Sequence, residues 1–174
     1  QRQMCIRDRS GISEEHLSEL TKLFTNSNCI VVPNFSISAI LLMHLSEIAT
    51  PYFSTIEIIE FHHNNKIDAP SGTALATAEK ISQNMTENLH DPTTDLALEG
   101  ARGAKAQGNI PIHSVRMEGM LAHQEVIFGS TGQTLTIRQD SSDRSSFMPG
   151  VLMAIKGVPN LTGVDVGLET LMDV

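Results

Sequence analysis

The stretch from Glu60 to Ala74 reads E-F-H-H-N-N-K-I-D-A-P-S-G-T-A, and it joins a predicted strand to a predicted helix. Before the loop, isoleucine alternates with glutamate within Ser54–Phe61, which is the two-residue period of a strand. After it, apolar residues return every three or four positions, which is the period of a helix. These helix positions are Ala74, Ala78, Ile81 and Met85.

The loop between these elements concentrates groups that bind anions and move protons. Free N–H groups at the N-terminus of a helix attract anions, and a nearby glycine lets a ligand approach the backbone. A serine or threonine can cap the helix, and an imidazole can exchange protons near neutral pH. The residues therefore predict a pocket for a small anion, with a histidine placed to move a proton. The candidates are His62, His63, Lys66, Ser71, Gly72 and Thr73.

The same loop also has an ordinary structural interpretation. A capped helix after a strand is common, and a pair of neighbouring histidines is often structural. Lys66 could simply form an ion pair with Asp68 or Glu60. The functional interpretation is favoured because a strand end, two imidazoles, an ammonium group and a helix N-terminus meet in one short loop.

The pattern H-H-x-x-K-x-D-A-P-S-G-T-A, which begins at His62, resembles the signature of the dihydrodipicolinate reductase (4-hydroxy-tetrahydrodipicolinate reductase) family. The resemblance covers residues 10 to 174 and leaves out only the start. It continues through four further segments. These are Pro33–Ser36, Ile112–Arg116, His123–Gly129 and Asp143–Phe147.

The resemblance implies an oxidoreductase of lysine and diaminopimelate biosynthesis, with NADPH or NADH as cofactor and a cyclic dicarboxylate as substrate. It implies that His62 is the acid and that Lys66 donates a proton or pairs with a substrate carboxylate. Hydride addition to a conjugated imine builds negative charge, which a proton donor must neutralise. The implied substrate contacts are His63, Ser71, Gly72 and Thr73, and the implied cofactor contacts are Val32, Pro33, Asn34, Phe35 and Arg144.

The residues implied to contact the cofactor have a structural alternative of equal weight on the sequence alone. Asn34 or Ser36 can cap the helix that follows, and Phe35 can belong to the core. Arg144 can face solvent after a strand.

The glycine-rich turn that binds dinucleotides is absent from this sequence. No G-x-G-x-x-G turn follows a strand near the start. We therefore expect a chain that lacks the dinucleotide-binding loop of the family.

Composition limits the classes of partner. The formal net charge of −8 argues against binding to nucleic acid or to anionic membranes. Two cysteines are too few for a disulfide framework and suit a reducing compartment. No run is long and apolar enough to span a membrane, and no secretion leader is visible. We expect a soluble cytoplasmic protein, and we expect no metal site because no H-x-x-x-H or C-x-x-C spacing occurs.

The order of elements predicts an α/β (α+β) fold, in which helices flank a mixed sheet of about four strands. The expected strands are Ser54–Phe61, Ile112–Met117, Gln124–Phe128 and Thr134–Gln139, the last two joined by a hairpin turn. The expected domains are a foreign or disordered start at 1–9, a Rossmann remnant at 10–33, a substrate-binding and oligomerisation domain at 34–150, and a closing helix and tail at 151–174.

Other elements follow from their local signals. A helix is expected to start at Ser13, and Cys29–Val32 reads as a short buried strand. The helix at about Ile37–Ala49 is apolar nearly all round and is therefore expected to be buried between layers or domains. Pro149 opens a further helix, and the tail is expected to dock on the core. The stretch His90–Pro111 is either a solvated loop or a lid over the site.

Two rival functions remain open on the sequence alone. The first is a non-catalytic fragment that binds a dicarboxylate or only assembles into oligomers. The second is a lyase or isomerase that binds an anion and uses the same histidine without a nucleotide. The family resemblance also implies a homotetramer built through the sheet. An upstream reading frame that encodes a strand, a glycine-rich turn and a helix would favour the redox function.

Overall fold

The computed structural model describes the backbone of residues 4–7 and the complete residues 12–172. The chain divides into two compact units, of which the first comprises Gln1–Ile40 with Arg144–Val174 and the second comprises Leu41–Asp143. Among the described residues, no helix combines the length and the apolar character needed to cross a membrane. The expected domain boundaries after residues 9, 33 and 150 stay predictions.

The first unit contains a parallel sheet in the order β1-β2-β8, formed by Met4–Arg7, Cys29–Val32 and Val164–Val166. Every residue of β2 is buried, as expected for a central parallel strand. β1 falls within the expected foreign start. β8 pairs with β2, and Leu168 is buried. The expected docking of the tail on the core stays a prediction, and residues 173–174 lie outside the described part.

Among the described residues, two α-helices lie wholly within the first unit, α1 at Glu14–Leu23 and α4 at Met148–Gly157. The start of α1 confirms the prediction, since the Ser13 hydroxyl accepts a hydrogen bond from the backbone N–H of His16. In return, the backbone N–H of Ser13 donates to Nδ1 of His16, 3.2 Å away. This reciprocal pair satisfies two N–H groups that a helix start otherwise leaves open.

Helix α4 packs closely against the turn after β2. A Cβ atom added to Gly150 would overlap the carbonyl oxygen of Phe35 and would lie 3.1 Å from Cδ2 of Leu168. Phe35 and Leu168 are buried in a closely packed interior, so moving either of them aside costs free energy. Gly150 is therefore required by this close approach of helix to backbone.

We expect Gly150→Ala to lower the free energy of unfolding by about 1–3 kcal/mol, because the new methyl group overpacks a closed contact. Urea unfolding followed by circular dichroism measures the change. Lys156→Ala is the matched control, because Lys156 is exposed on the same helix. Equal stability of the two variants would contradict the close packing of α4.

The second unit contains a mixed sheet in the order β4-β5-β3-β6-β7. β3 and β5 are parallel, whereas the other neighbouring pairs are antiparallel. This confirms the mixed sheet but adds a fifth strand, because two exposed residues of the expected loop His90–Pro111 pair with β5. The strands are β3 Thr55–His62, β4 Ala104–Lys105, β5 Pro111–Arg116, β6 Ala122–Ser130 and β7 Gln133–Ser141.

The central strand β3 has two different faces. Ile56, Ile58 and Glu60 are buried, while the residues between them are less so. The buried face lies under helix α3, Gly72–Gln83, since Thr77 of α3 accepts a hydrogen bond from Gln124 of β6 at 2.7 Å. Helix α3 ends at Gln83, two residues before Met85, although Met85 was expected to extend the apolar face of this helix. Side chains on one face of β3 are therefore buried under α3, whereas those on the other face are partly exposed.

Helix α2, Ile37–Ala49, has the predicted limits but not the predicted burial. Leu42 and Met43 are buried, whereas Leu41, Leu45 and Ile48 are 37%, 48% and 54% exposed. The expectation that this helix is buried all round is therefore wrong for the described chain. Apolar composition shows that a face can be buried, but it does not show that a neighbour covers it.

Candidate functional site

The site candidates of the second unit lie where β3 ends and α3 begins. Ser71 is the N-cap of α3, since its hydroxyl accepts a hydrogen bond from the backbone N–H of Ala74 at 3.2 Å. Thr73 lies inside the first turn, where its carbonyl accepts from the Thr77 hydroxyl. Of the two residues expected as possible caps, the structure therefore selects Ser71. Gly72 is exposed at the helix N-terminus.

A buried glutamate connects three parts of this region. Glu60 is 0% exposed. Its Oε2 lies 2.5 Å from Nδ1 of His62 and accepts a hydrogen bond from Nη1 of Arg116 at 2.9 Å. Its Oε1 accepts from Nη2 of Arg116 at 2.7 Å and from the backbone N–H of Ser71 at 3.2 Å. The strand, the histidine, the arginine and the helix start thus share one carboxylate.

The hydrogen bonds keep this carboxylate ionised. Burial alone raises the pKa of Glu60, because a charged group loses its hydration. Hydrogen bonds from His62, Arg116 and Ser114 act in the opposite direction and outweigh burial, so that the pKa of Glu60 is lowered from 4.5 to about 2. At neutral pH the side chain is therefore an acceptor on both oxygens.

The loop that carries Lys66 is closed by an ion pair. Nζ of Lys66 lies 2.7 Å from Oδ1 and 2.6 Å from Oδ2 of Asp68. The hydrogen bond from Lys66 lowers the pKa of Asp68. Lys66 is only 15% exposed in its side chain, while Asp68 is 58% exposed. The structural alternative is thus confirmed for Asp68, and Lys66 does not pair with Glu60.

Arg116 connects this loop to the buried carboxylate. Its Nη2 donates to the backbone carbonyl of Asp68 at 2.8 Å, in addition to Glu60. The loop also folds on itself, since the backbone N–H of Lys66 donates to the carbonyl of His63 at 3.1 Å. The structure therefore brings His62, Lys66 and the start of α3 together through short contacts, and His63 lies in the same turn.

The residues expected to contact a cofactor lie in the first unit. Val32 is the last residue of β2, and Phe35 is 4% exposed. Asn34 Oδ1 accepts from the backbone N–H of Ser36 at 2.9 Å, and the Ser36 hydroxyl accepts from the backbone N–H of Ala39 at 3.3 Å. Ser36 therefore caps the start of α2, and Phe35 belongs to the core, as the structural alternative predicted.

Two further cofactor candidates are exposed, in contrast to Val32 and Phe35. Pro33 is exposed directly after β2, and Arg144 is exposed in the 3-10 helix Arg144–Phe147 that leads into α4. Their positions are compatible with contact to a ligand, because both are accessible to solvent. Their role in cofactor binding stays a prediction.

The opposite face of β3 carries a second carboxylate, histidine and arginine. Glu57 Oε2 lies 2.7 Å from Nε2 of His113, and its Oε1 accepts from Nη2 of Arg102. Arg102 belongs to the stretch expected to be a loop or a lid, and here it ties that stretch to the sheet. Within residues 12–172, no three metal-ligating side chains are grouped closely enough to hold an ion.

A family model described as dihydrodipicolinate reductase, C-terminus, matches residues 38–174. The chain belongs to the dihydrodipicolinate reductase family. A curated 4-hydroxy-tetrahydrodipicolinate reductase from Corynebacterium urealyticum is 46% identical over 98% of this chain and 73% of its own length. One from Moorella thermoacetica is 51% identical over 94% of this chain and 62% of its own length. The resemblance noted in the sequence is thereby confirmed.

A solved structure supports the same assignment. Dipicolinate-bound dihydrodipicolinate reductase from Paenisporosarcina sp. TG-14 matches with a TM-score of 0.86 and 44% identity, over 97% of this chain and 64% of that chain. The fold is therefore that of the reductase family. The chain spans less than two thirds of this reductase and of the Moorella relative.

Two residues of the candidate site were missed by the reasoning from sequence. Glu60 and Arg116 hold the candidate acid, yet neither was singled out for the site. One signal was available, since Glu60 and His62 are two residues apart on a strand and must share a face. The partner Arg116 lies opposite His62 only because β3 and β5 pair in parallel with this register.

Proposed function

We propose that this chain provides the substrate-binding and proton-donating part of an NAD(P)H-dependent reductase. The reaction converts 4-hydroxy-tetrahydrodipicolinate to tetrahydrodipicolinate in lysine and diaminopimelate biosynthesis. It consumes a hydride and a proton, and the 4-hydroxyl leaves as water. The observation that carries the proposal is the meeting of His62, Lys66 and the N-terminus of α3 around one loop. The dipicolinate bound by the Paenisporosarcina reductase supports a cyclic dicarboxylate as ligand.

Each part of the loop has a role that suits such a substrate. The ammonium group of Lys66 and the N–H groups at the start of α3 attract the two carboxylates. Gly72 and Thr73 place backbone and hydroxyl groups at that helix end, and His63 lies in the adjoining turn. His62 donates the proton, because imidazole is an efficient general acid near neutral pH.

NADPH or NADH would supply the hydride when bound. The residues proposed to hold it are Val32, Pro33, Asn34, Phe35 and Arg144. Their placement fits, because ligands of parallel α/β sheets bind beyond the carboxyl ends of the strands and Val32 is such an end. An exposed Arg144 suits a cofactor phosphate. The buried Phe35 can contribute only through its backbone.

We also propose that the protein is cytoplasmic and assembles as a homotetramer through the five-stranded sheet. The face of the sheet opposite α3 carries Ile59, Val115 and Ile127, which are only half-buried. Apolar side chains on an open sheet face favour contact with another protein surface. Sedimentation velocity tests the assembly, and a monomer at all accessible concentrations would contradict it.

The function is tested by NADPH oxidation with enzymatically generated substrate. The 174-residue chain is compared with an extended reductase, in which the nucleotide-binding half of the Moorella relative precedes it. We expect turnover in the extended reductase and none in the chain alone. Absence of turnover in both, with dipicolinate binding retained in calorimetry, would overturn the redox function and leave a dicarboxylate-binding fragment.

A further inference from the structure

We propose that Glu60, held in place by Arg116, is the positioning residue that fixes the His62 ring with a proton on Nδ1 and directs Nε2 at the substrate. This inference rests on the proposed function, because it assigns the atom through which His62 acts. Glu60 itself need not touch the substrate. Its role is to orient the ring and to select one of its two neutral tautomers.

The geometry around Glu60 leaves this carboxylate little freedom. It is fully buried, and its two oxygens are held by two hydrogen bonds from Arg116, by one from the Ser71 backbone and by the contact with His62, in addition to the Ser114 side chain. The guanidinium binds both oxygens at once, which fixes the plane of the carboxylate. Because Glu60 and His62 are two residues apart on β3, both side chains point to the same face of the sheet.

The chemistry of the contact determines the tautomer. An ionised carboxylate has no proton to give, so the 2.5 Å contact requires the proton to be on Nδ1 of His62. When the imidazolium donates its Nε2 proton, the neutral ring that remains is the one that Glu60 stabilises. A carboxylate placed behind a histidine in this way acts through orientation and tautomer selection, as in Ser-His-Asp sites.

The effect of Glu60→Gln can be worked out from the same contacts. The amide nitrogen must replace either Oε1, which faces two donors, or Oε2, which faces one donor and the His62 ring. With the nitrogen at the position of Oε2, only one donor, Nη1 of Arg116, faces it, and this orientation is therefore preferred. The amide then donates to Nδ1, which moves the ring proton to Nε2.

The chain offers a matched control on the other face of the same strand. Glu57 also binds a histidine and an arginine, His113 and Arg102, but its histidine contact is through Nε2. Glu57→Gln removes the same charge from the same strand and leaves the His62 contacts intact. It separates a local effect on His62 from a general effect of losing a carboxylate in β3.

The test is long-range ¹H–¹⁵N correlation spectroscopy of the 174-residue chain with ¹⁵N-labelled histidine, at a pH where the His62 ring is neutral. Comparison with His62→Gln identifies its signals. We expect wild type and Glu57→Gln to carry the proton on Nδ1, and Glu60→Gln to carry it on Nε2. A wild-type ring protonated on Nε2 overturns the proposal without any variant, so the test does not depend on the folding of Glu60→Gln.

Kinetics of the extended reductase provide the second readout. In Glu60→Gln we expect kcat to fall about 100-fold, with KM changed less than about threefold. A rise in KM with kcat unchanged would overturn the positioning role. If the wild-type spectrum shows the Nδ1 proton but no reductase activity exists, the proposed function fails while the ring orientation stands, so the two failures are distinguishable.

Discussion

Lys66→Ala is expected to lower kcat/KM of the extended reductase by roughly 100-fold or more. Its free energy of unfolding should change by no more than about 1 kcal/mol, because its ion-pair partner Asp68 is largely exposed and such pairs contribute little to stability. The physical reason for the kinetic loss is that the ammonium group meets a substrate carboxylate. Steady-state kinetics and urea unfolding of the same preparation measure both quantities.

Lys80→Ala is the control for this prediction. Lys80 lies on α3 and forms a partly exposed ion pair with Glu47, at an Nζ–Oε1 distance of 3.4 Å. Its removal changes the net charge by the same amount and should leave kcat/KM within about twofold of wild type. If Lys66→Ala instead loses stability and activity in parallel, the assignment of Lys66 to the chemistry is wrong.

Acidification of the 174-residue chain is expected to remove about 2 kcal/mol of the free energy of unfolding between about pH 6 and pH 3 through Glu60 alone. The pKa of this carboxyl is about 2 in the folded chain and 4.5 in the unfolded chain. The unfolded chain therefore binds a proton first. The stabilisation is complete about one to two pH units above 4.5 and is lost as pH falls toward 2, with a full difference of about 3 kcal/mol.

Urea unfolding over this pH range compares wild type with Glu60→Gln. The variant is expected to be less stable near neutral pH and to lose less stability on acidification, because its side chain has no proton to gain. Val126→Ala is the control, since it removes buried apolar surface and no titrating group. It should lower the free energy of unfolding by the same amount at every pH. If the free energy of unfolding of Glu60→Gln fell with pH in parallel with that of wild type, the folded chain would not keep Glu60 ionised.

Local patterns in the sequence predicted most of the regular elements. The limits of α2 and β2 were predicted correctly, because a proline, a polar cluster or an apolar run marks their ends. β4 was missed because two exposed residues carry no period that distinguishes a strand from a loop. The exposed face of α2 was missed because apolar residues predict a need for a partner and do not identify one.

The candidate site was predicted only in part, for a similar reason. The loop motif identified two candidate histidines and the lysine, because they are close together in the chain, and the family resemblance implied that His62 is the acid. The contact between Glu60 and Arg116 joins residues that are 56 positions apart and depends on the register of β3 with β5. No local pattern contains that register. The sequence also left open two partners for Lys66, which only the fold could distinguish.

The alternation of faces along β3 makes this strand unequally tolerant of two kinds of genetic change. A substitution at Ile59 changes one side chain on one face. A single inserted or deleted codon just before Glu60 would rotate the following side chains to the opposite face, sending Glu60 and His62 away from Arg116 and Ser71. Natural variation in this segment should therefore proceed by replacement at constant length, while the exposed turn at Thr131 and Gly132 is free to accept length changes.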